Sequence, residues 1–285
     1  MKTILERYHG LGNDYLVYDP QINELELNEE RIKLICDRNF GCGSDGILFG
    51  PIIEEDGIRV RIYNPDGSEA EKSGNGVRIF SKYLKDMGYI TEPSFVLTTL
   101  GGDVDVQYLS PDGRLMKVLM GKVTYESGKI PVAGNSREVI DEPMIFSGHV
   151  YNVTCLSIGN PHCVIPMYKI SKERAIELGS LVESAPYFPN RINVQLLQVI
   201  DRHTIRIEIY ERGAGYTLAS GSSSCAAACA AIKLGLADSP VKVQMPGGEL
   251  NIEVGADESV YMTGTVNRVG MVTLADEFVA DLLQR

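Results

Sequence analysis

Positive charge is the scarce quantity in this chain: 27 Lys and Arg stand against 38 Asp and Glu in 285 residues, a net charge of −11. The acidic residues are spread along the sequence rather than gathered in a tail. Nothing here would attract a phosphate backbone or an anionic membrane surface, so neither nucleic acid nor membrane is an expected partner. A small-molecule ligand is, and a homodimer is an admissible assembly. Long apolar runs are also missing. None approaches the roughly 18 residues of a membrane span, and the opening MKTILERYHG carries charge before any apolar stretch could act as a signal sequence. The expected location is cytoplasmic. Cysteine is sparse, and Cys36, Cys42, Cys155, Cys163, Cys225 and Cys229 include no Cys-x-x-Cys pair. That argues against a disulfide scaffold and a zinc site, and for reduced core residues. No metal is expected. The GxxxxGK[ST] phosphate loop is absent, and GSSSC is no nucleophile elbow, which argues against P-loop nucleotide enzymes and serine hydrolases.

What the chain does have is 44% hydrophobic residues, enough for a full core, and a length that suits two domains of about 140 residues. Laid over itself, it matches at one offset of 147 positions in three separate stretches. Gly12-Asn13 falls on Gly159-Asn160, and Gly46-Ile47 on Asn193-Val194. IRVRIYNPDGSEAEKSGNGVRIFSKYLKDMG falls on IRIEIYERGAGYTLASGSSSCAAACAAIKLG, which pairs Tyr63 with Tyr210, Ser73 with Ser220 and Gly88 with Gly235. The chain reads as one unit occurring twice.

Each copy has the same grammar: β-branched strands, a glycine-rich turn, then a helix. Ser73 and Ser220 stand where an N-cap belongs, and Gly88 and Gly235 where the chain leaves the helix. The helix from Ser223 to Leu234 is alanine-rich and nearly all apolar, so burial on every side is expected. Further helices are predicted at Asn28–Asp37, Ser171–Glu183 and Leu274–Leu283. Strands are predicted at Phe95–Leu100, Arg114–Val123, Val241–Met245, Leu250–Val254 and Ser259–Val266. The fold class is α/β (α+β), two pseudo-symmetric halves, each a mostly antiparallel sheet wrapped around a central helix. The first half takes 1–125, open to completion by 265–285, and the second takes 126–285.

Related by duplication, the two helix starts point to an anion site, since unpaired backbone N–H groups and the positive end of the helix dipole favour a carboxylate. Gly74 and Asn75, and Gly221 and Ser222, directly follow the capping serines. Around the turns stand Asn13, Asn64, Asn160, His162, Asn193, Glu211 and Arg212. The Arg212 fork suits a carboxylate and Glu211 an ammonium group. His162 is open to three roles: loop residue, proton relay or substrate contact.

HGLGND, YNPDGSE…GNG, GNPH, RxNV and YERGxG, in this order and spacing, resemble the diaminopimelate epimerase family over nearly the whole chain. The resemblance implies an active site in the cleft between two similar halves, with no pyridoxal phosphate and no metal. It also implies stereoinversion at one α-carbon, interconverting LL- and meso-diaminopimelate for lysine and peptidoglycan synthesis. Groups at the places of Asn13, Asn64, Asn193, Glu211 and Arg212 hold the non-reacting centre in that family. A pair of cysteines moves the proton there, and here both places are serine, Ser73 and Ser220. Tyr216 stands where glutamate is usual, and Ser222 to Ser224 depart from a GTG-type turn. An engineered exchange, a natural branch with other chemistry and an inactive descendant all fit these departures. Racemisation of another amino acid, proton-transfer isomerisation of a related acid and plain amino-acid binding are the rival functions. Cys225 and Cys229, more than a turn inside the helix, read as core filling.

Overall fold

The computed structural model describes residues 2–55 and 57–285. The chain divides into two units, one running through Val118 and resuming from Gly264 to Arg285, the other Leu119–Thr263. The division falls inside a strand.

The first unit contains β1 (Ile4–Gly10), β2 (Asn13–Tyr18), β3 (Ile47–Glu54), β4 (Gly57–Tyr63), β5 (Glu69–Ala70), β6 (Ser94–Thr99), β7 (Gly102–Tyr108), β8 (Leu115–Lys122) and the late β18 (Asn267–Thr273). β18, β1 and β2 pair antiparallel, β2 and β3 parallel, β3 and β4 antiparallel, β4 and β6 parallel, and β6, β7 and β8 antiparallel, with β5 against the end of β4. Its helices are α1 (Glu29–Cys36), α2 (Gly74–Asp86) and α5 (Asp276–Leu283). Where strands are covered on both faces they are apolar throughout, as Leu16, Val17 and Tyr18 of β2 are. β7 is covered on one face only and alternates, burying Val104, Val106 and Tyr108.

The second unit repeats this plan with β9 (Glu142–Phe146), β10 (His149–Ser157), β11 (Pro161–Pro166), β12 (Asn193–Asp201), β13 (Thr204–Glu211), β14 (Gly215–Thr217), β15 (Val241–Met245), β16 (Gly248–Val254) and β17 (Ser259–Thr265), plus α3 (Lys172–Glu183) and α4 (Gly221–Lys233). Its pairings follow the same sequence of parallel and antiparallel neighbours. Even the registers carry over: Leu16 opposite Ile47 becomes Cys163 opposite Val194, and Ile47 opposite Tyr63 becomes Val194 opposite Tyr210. The duplication seen in the sequence is therefore a duplication of hydrogen-bonding geometry.

α2 packs on β1, β2 and β3 and is buried from Asn75 to Leu84, while α4 packs among β10, β11, β12, β13, β15 and β16. Both stop on a left-handed glycine, Gly88 (φ +76) and Gly235 (φ +68), as the sequence predicts. α4 starts at Gly221, two residues ahead of the predicted Ser223, because Ser220 caps it directly. Its alanines are fully buried, and Cys225 and Cys229 fill the same core. All six cysteines are free thiols.

α2 is tied to the end of β2 through Asp19, a buried carboxylate that accepts from Tyr83 Oη (2.5 Å), Tyr89 Oη (2.7 Å) and Gln21 N (2.7 Å). Burial first, and Asp19 second, push the Tyr89 phenol up to about 12. Tyr83→Phe removes one donor to this charge and is expected to lower stability by about 1.5–3 kcal/mol, read as a lower urea midpoint at unchanged slope.

Candidate active site

The two capping serines have nearly the same backbone, Ser73 at φ −136, ψ 119 and Ser220 at φ −149, ψ 126. Ser73 Oγ accepts from Gly76 N (3.0 Å), and Ser220 Oγ from Ser223 N (3.4 Å). A helix offers no internal partner for its first amides, so Gly74 and Asn75 in one unit, and Gly221 and Ser222 in the other, present N–H groups suited to an anion.

Beside each start lies an asparagine bridge that recurs with the same separation of 62 positions. In the first unit Asn75 Nδ2 donates to Asn13 Oδ1 (3.1 Å), and in the second Asn160 Nδ2 donates to Ser222 Oγ (3.4 Å). What holds each asparagine differs. Asn13 Nδ2 donates to Asp45 Oδ2 (2.9 Å), and Asp45 Oδ1 accepts from Arg38 Nη2 (2.7 Å). Asn75 Oδ1 in turn accepts from the buried Arg78 (2.7 Å), whose Nη1 also donates to Gly74 O (3.1 Å). Asp45 and Arg78 escaped the sequence reading. For Asp45 the signal was there, since it adjoins the Gly46-Ile47 match.

Asn160 is instead held by His162. The ring of His162 lies fully buried on β11, with Nε2 2.9 Å from Asn160 Oδ1 and Nδ1 3.1 Å from Gln195 Nε2, which also donates to Ser223 Oγ (3.0 Å). Burial pushes the imidazole down to about 3, against the Gln195 hydrogen bond and with the Arg212 charge. A neutral ring with Nε2–H donating to Asn160 satisfies this network. Of the three roles open to it, strand placement rules out a loop histidine, and the ring is hydrogen-bonded to Asn160.

Glu211 ends β13 with a partly buried carboxyl. Burial raises that carboxyl above its ordinary range, and the Ser220 hydroxyl opposes the rise. Asn193 Oδ1 accepts from Arg212 N (2.9 Å) and its Nδ2 donates to Pro161 O (2.9 Å), clamping β11, β12 and the turn after β13 together. The Arg212 side chain is exposed, and its Nη1 reaches Asn190 O at 3.3 Å. Asn64 stands apart from these clusters: its Nδ2 donates to Ser68 Oγ (3.0 Å) within its own turn. Tyr216 Oη donates to Glu208 Oε2 (2.7 Å), and Lys172 Nζ lies 5.2 Å from its ring centre. The Ser73 oxygen has a phenol as its neighbour, Tyr15 Oη at 3.4 Å. Among the described residues no cluster of three or more His, Cys, Asp or Glu could hold a metal ion, and no helix is long and apolar enough to cross a membrane.

Solved structures share this fold. A phenazine biosynthesis protein of the PhzF family from Bacillus anthracis superposes with a TM-score of 0.68 at 15% identity, over 96% of this chain and 99% of the other. A hydroxyproline epimerase from Agrobacterium vitis gives 0.67 at 14% identity, over 96% and 91%. Sequence relatives are nearer. "Diaminopimelate epimerase 2" of Nostoc sp. strain PCC 7120 is 51% identical over 275 residues, covering 96% of both chains. "Diaminopimelate epimerase 1" of the same organism is 37% identical over 271 residues, covering 92% of this chain and 96% of its own. The sequence model described as "Diaminopimelate epimerase" matches residues 7–126 and 154–269, and with relatives of this identity and coverage the chain belongs to the diaminopimelate epimerase family.

Proposed function

We propose that this protein is a cofactor-independent isomerase that interconverts LL- and meso-diaminopimelate by moving one α-proton, in lysine and peptidoglycan synthesis. The observation that carries the reading is the repeated helix start: a serine cap, two free amides and an asparagine bridge, present in both copies of a chain of this family. Ser73 and Ser220 take the acid–base places. The amides of Gly74, Asn75, Gly221 and Ser222 receive a carboxylate, with Asn13 and Asn160 as oriented amide donors. Asn64, Asn193, Glu211 and Arg212 serve recognition of the far end, and His162 supports Asn160. The partner is a small amino acid rather than nucleic acid, the location is the cytoplasm, and a homodimer is the assembly to look for.

Incubation with LL-diaminopimelate in deuterium oxide tests this by proton magnetic resonance. Loss of the α-proton signal with formation of the meso isomer is expected, at a rate limited by the two hydroxyls. Amino-acid binding without exchange is the second reading. It is favoured by one feature: each serine oxygen already accepts from its own helix. Exchange on another L-amino acid, with none on diaminopimelate, would move the substrate and keep the chemistry.

A further inference from the structure

The two helix starts rest on different chemistry. By the repeat, Leu48 and Gly76 of the first unit correspond to Gln195 and Ser223 of the second. In the first unit the leucine fills the place, and a Cβ on Gly76 would stand 3.2 Å from Leu48 Cδ2. In the second an amide takes the leucine's position and a hydroxyl the glycine's, and Gln195, Ser223 and His162 are all fully buried. Gln195 Nε2 donates to Ser223 Oγ (3.0 Å) and to His162 Nδ1 (3.1 Å), which joins β12 to α4 and to β11. Its Oε1 is buried and has no partner among the described residues. Packing alone does not account for such a residue: an apolar side chain suffices at Leu48, and an unbonded acceptor in a core is destabilising.

What the amide does and a leucine cannot is decide which nitrogen of His162 holds the proton. Burial pushes the imidazole down to about 3, so the ring carries a single N–H across the neutral range. With Gln195 donating to Nδ1, that N–H stands on Nε2 and donates to Asn160 Oδ1 (2.9 Å). An amide whose carbonyl is engaged there turns its NH2 the other way, and Asn160 Nδ2 donates to Ser222 Oγ at the start of α4 (3.4 Å). A proton on Nδ1 would reverse each step. Nε2 would accept, Asn160 would turn to donate to it, and its carbonyl oxygen would face the start of α4, where it repels a carboxylate. Asn13, at the same place in the first unit, has this opposite sense: its Nδ2 donates to Asp45 Oδ2 and its Oδ1 accepts from Asn75 of α2.

We propose that Gln195 is the positioning residue that sets the direction of the Asn160 amide, so that the start of α4 meets a ligand carboxylate with N–H groups. Gln195 touches no ligand group; it acts through the tautomer of His162, and through Ser223 it holds the first turn of α4 beside that ring. The use of the Asn160 amide for a substrate carboxylate rests on the epimerase reading, whereas the tautomer does not. A glutamine that only ties β12 to α4 needs one of its two hydrogen bonds, the one to Ser223, and leaves the two ring nitrogens without a preference.

The test reads the imidazole nitrogens directly, by long-range proton–nitrogen correlation spectra of histidine-labelled protein near neutral pH, with the His162 signals assigned by their loss in His162→Gln. Wild type should show the Nε2–H tautomer. Gln195→Glu, of the same shape but with acceptors only, should carry a proton on Nδ1, and Gln195→Leu, the residue of the first unit, should lose the pure Nε2–H form. Both variants should bind LL-diaminopimelate about tenfold or more weakly in calorimetry, the effect of one lost hydrogen bond to a charged group. A wild-type ring protonated on Nδ1 overturns the proposal, as does a pure Nε2–H ring in both variants, and so does a changed tautomer with binding within about threefold of wild type. If circular dichroism shows both variants unfolded, the wild-type spectrum decides. A wild type with the expected tautomer that neither binds nor exchanges diaminopimelate removes the epimerase reading and leaves the control of Asn160 by Gln195 standing, which separates the two failures.

Discussion

Replacing Ser73 and Ser220 together by cysteine is expected to raise α-proton exchange on diaminopimelate by about 10²- to 10⁴-fold, the usual contribution of a well-matched acid–base group. A free thiol loses its proton near pH 8.5, and a helix N-terminus draws that value lower. A hydroxyl has no comparable access to its anion. Both serines already sit as caps at the starts of α2 and α4, so the new sulfurs would occupy the place where the dipole favours the thiolate. The exchange has a cost in stability. Each Oγ caps an amide, Gly76 N or Ser223 N, and loss of a cap bond costs about 0.5–2 kcal/mol. The single variants measure the two positions separately. A double variant that binds diaminopimelate and exchanges no faster than wild type would show that the missing thiols do not limit the rate.

Some of this arrangement is legible in the sequence because it is local. A serine three residues ahead of the amide it caps, an apolar run and a terminal glycine specify a helix with both its ends. Two such sets at one offset specify a repeat. The parallel and antiparallel pairings follow the repeat because each copy has the same alternation and the same turn residues. The side-chain bridges are another matter. Asn13 and Asn75, or Asn160 and Ser222, are joined across 62 positions, and whether an amide at a strand start faces a helix start depends on a register that no short stretch contains. Asn64 shows the limit from the other direction. Its turn, Asn-Pro-Asp-Gly-Ser, is chemistry enough to engage its amide with Ser68, and the same residue type serves both a turn and a ligand. Glu211 looks from its neighbour Arg212 like half of a recognition pair. The β13–β14 hairpin instead sets it opposite Gly215, a pairing that its neighbour in the chain does not reveal. The return of 264–285 to the first unit, with β18 beside β1, is likewise set by non-local pairing.

His162→Gln is expected to flatten the loss of stability that wild type suffers between pH 6.5 and pH 4. The folded-state pKa of His162 lies at about 3, depressed mainly by burial from an ordinary value near 6.5. A group depressed in the fold binds protons more readily when unfolded. Its contribution is therefore fully present above pH 6.5 and is lost as the pH falls toward 3, by an amount on the order of 4–5 kcal/mol at the bottom of that range. Asp257, drawn down to about 2 chiefly by the Ser259 hydroxyl and then by Lys122, acts below pH 4 and leaves the upper window clear. Glu211 works in the opposite sense. Its raised carboxyl favours the fold below its ordinary value and loses that contribution as the pH rises through the shifted one, so Glu211→Gln should steepen the acid loss where His162→Gln relieves it. Urea midpoints followed by circular dichroism at half-unit steps resolve the two. The physical source of the His162 term is the donor count. Asn160 Oδ1 can accept from Nε2–H, but a second proton on Nδ1 would face the Gln195 amide nitrogen. Gln195 Oε1 is buried and has no partner, so turning that amide over would present an acceptor to a cationic ring and to Ser223. A wild-type stability that stays level from pH 6.5 to 4 would show that Gln195 makes this turn, and the ring would then be free to carry charge beside Asn160 in the range where the enzyme works.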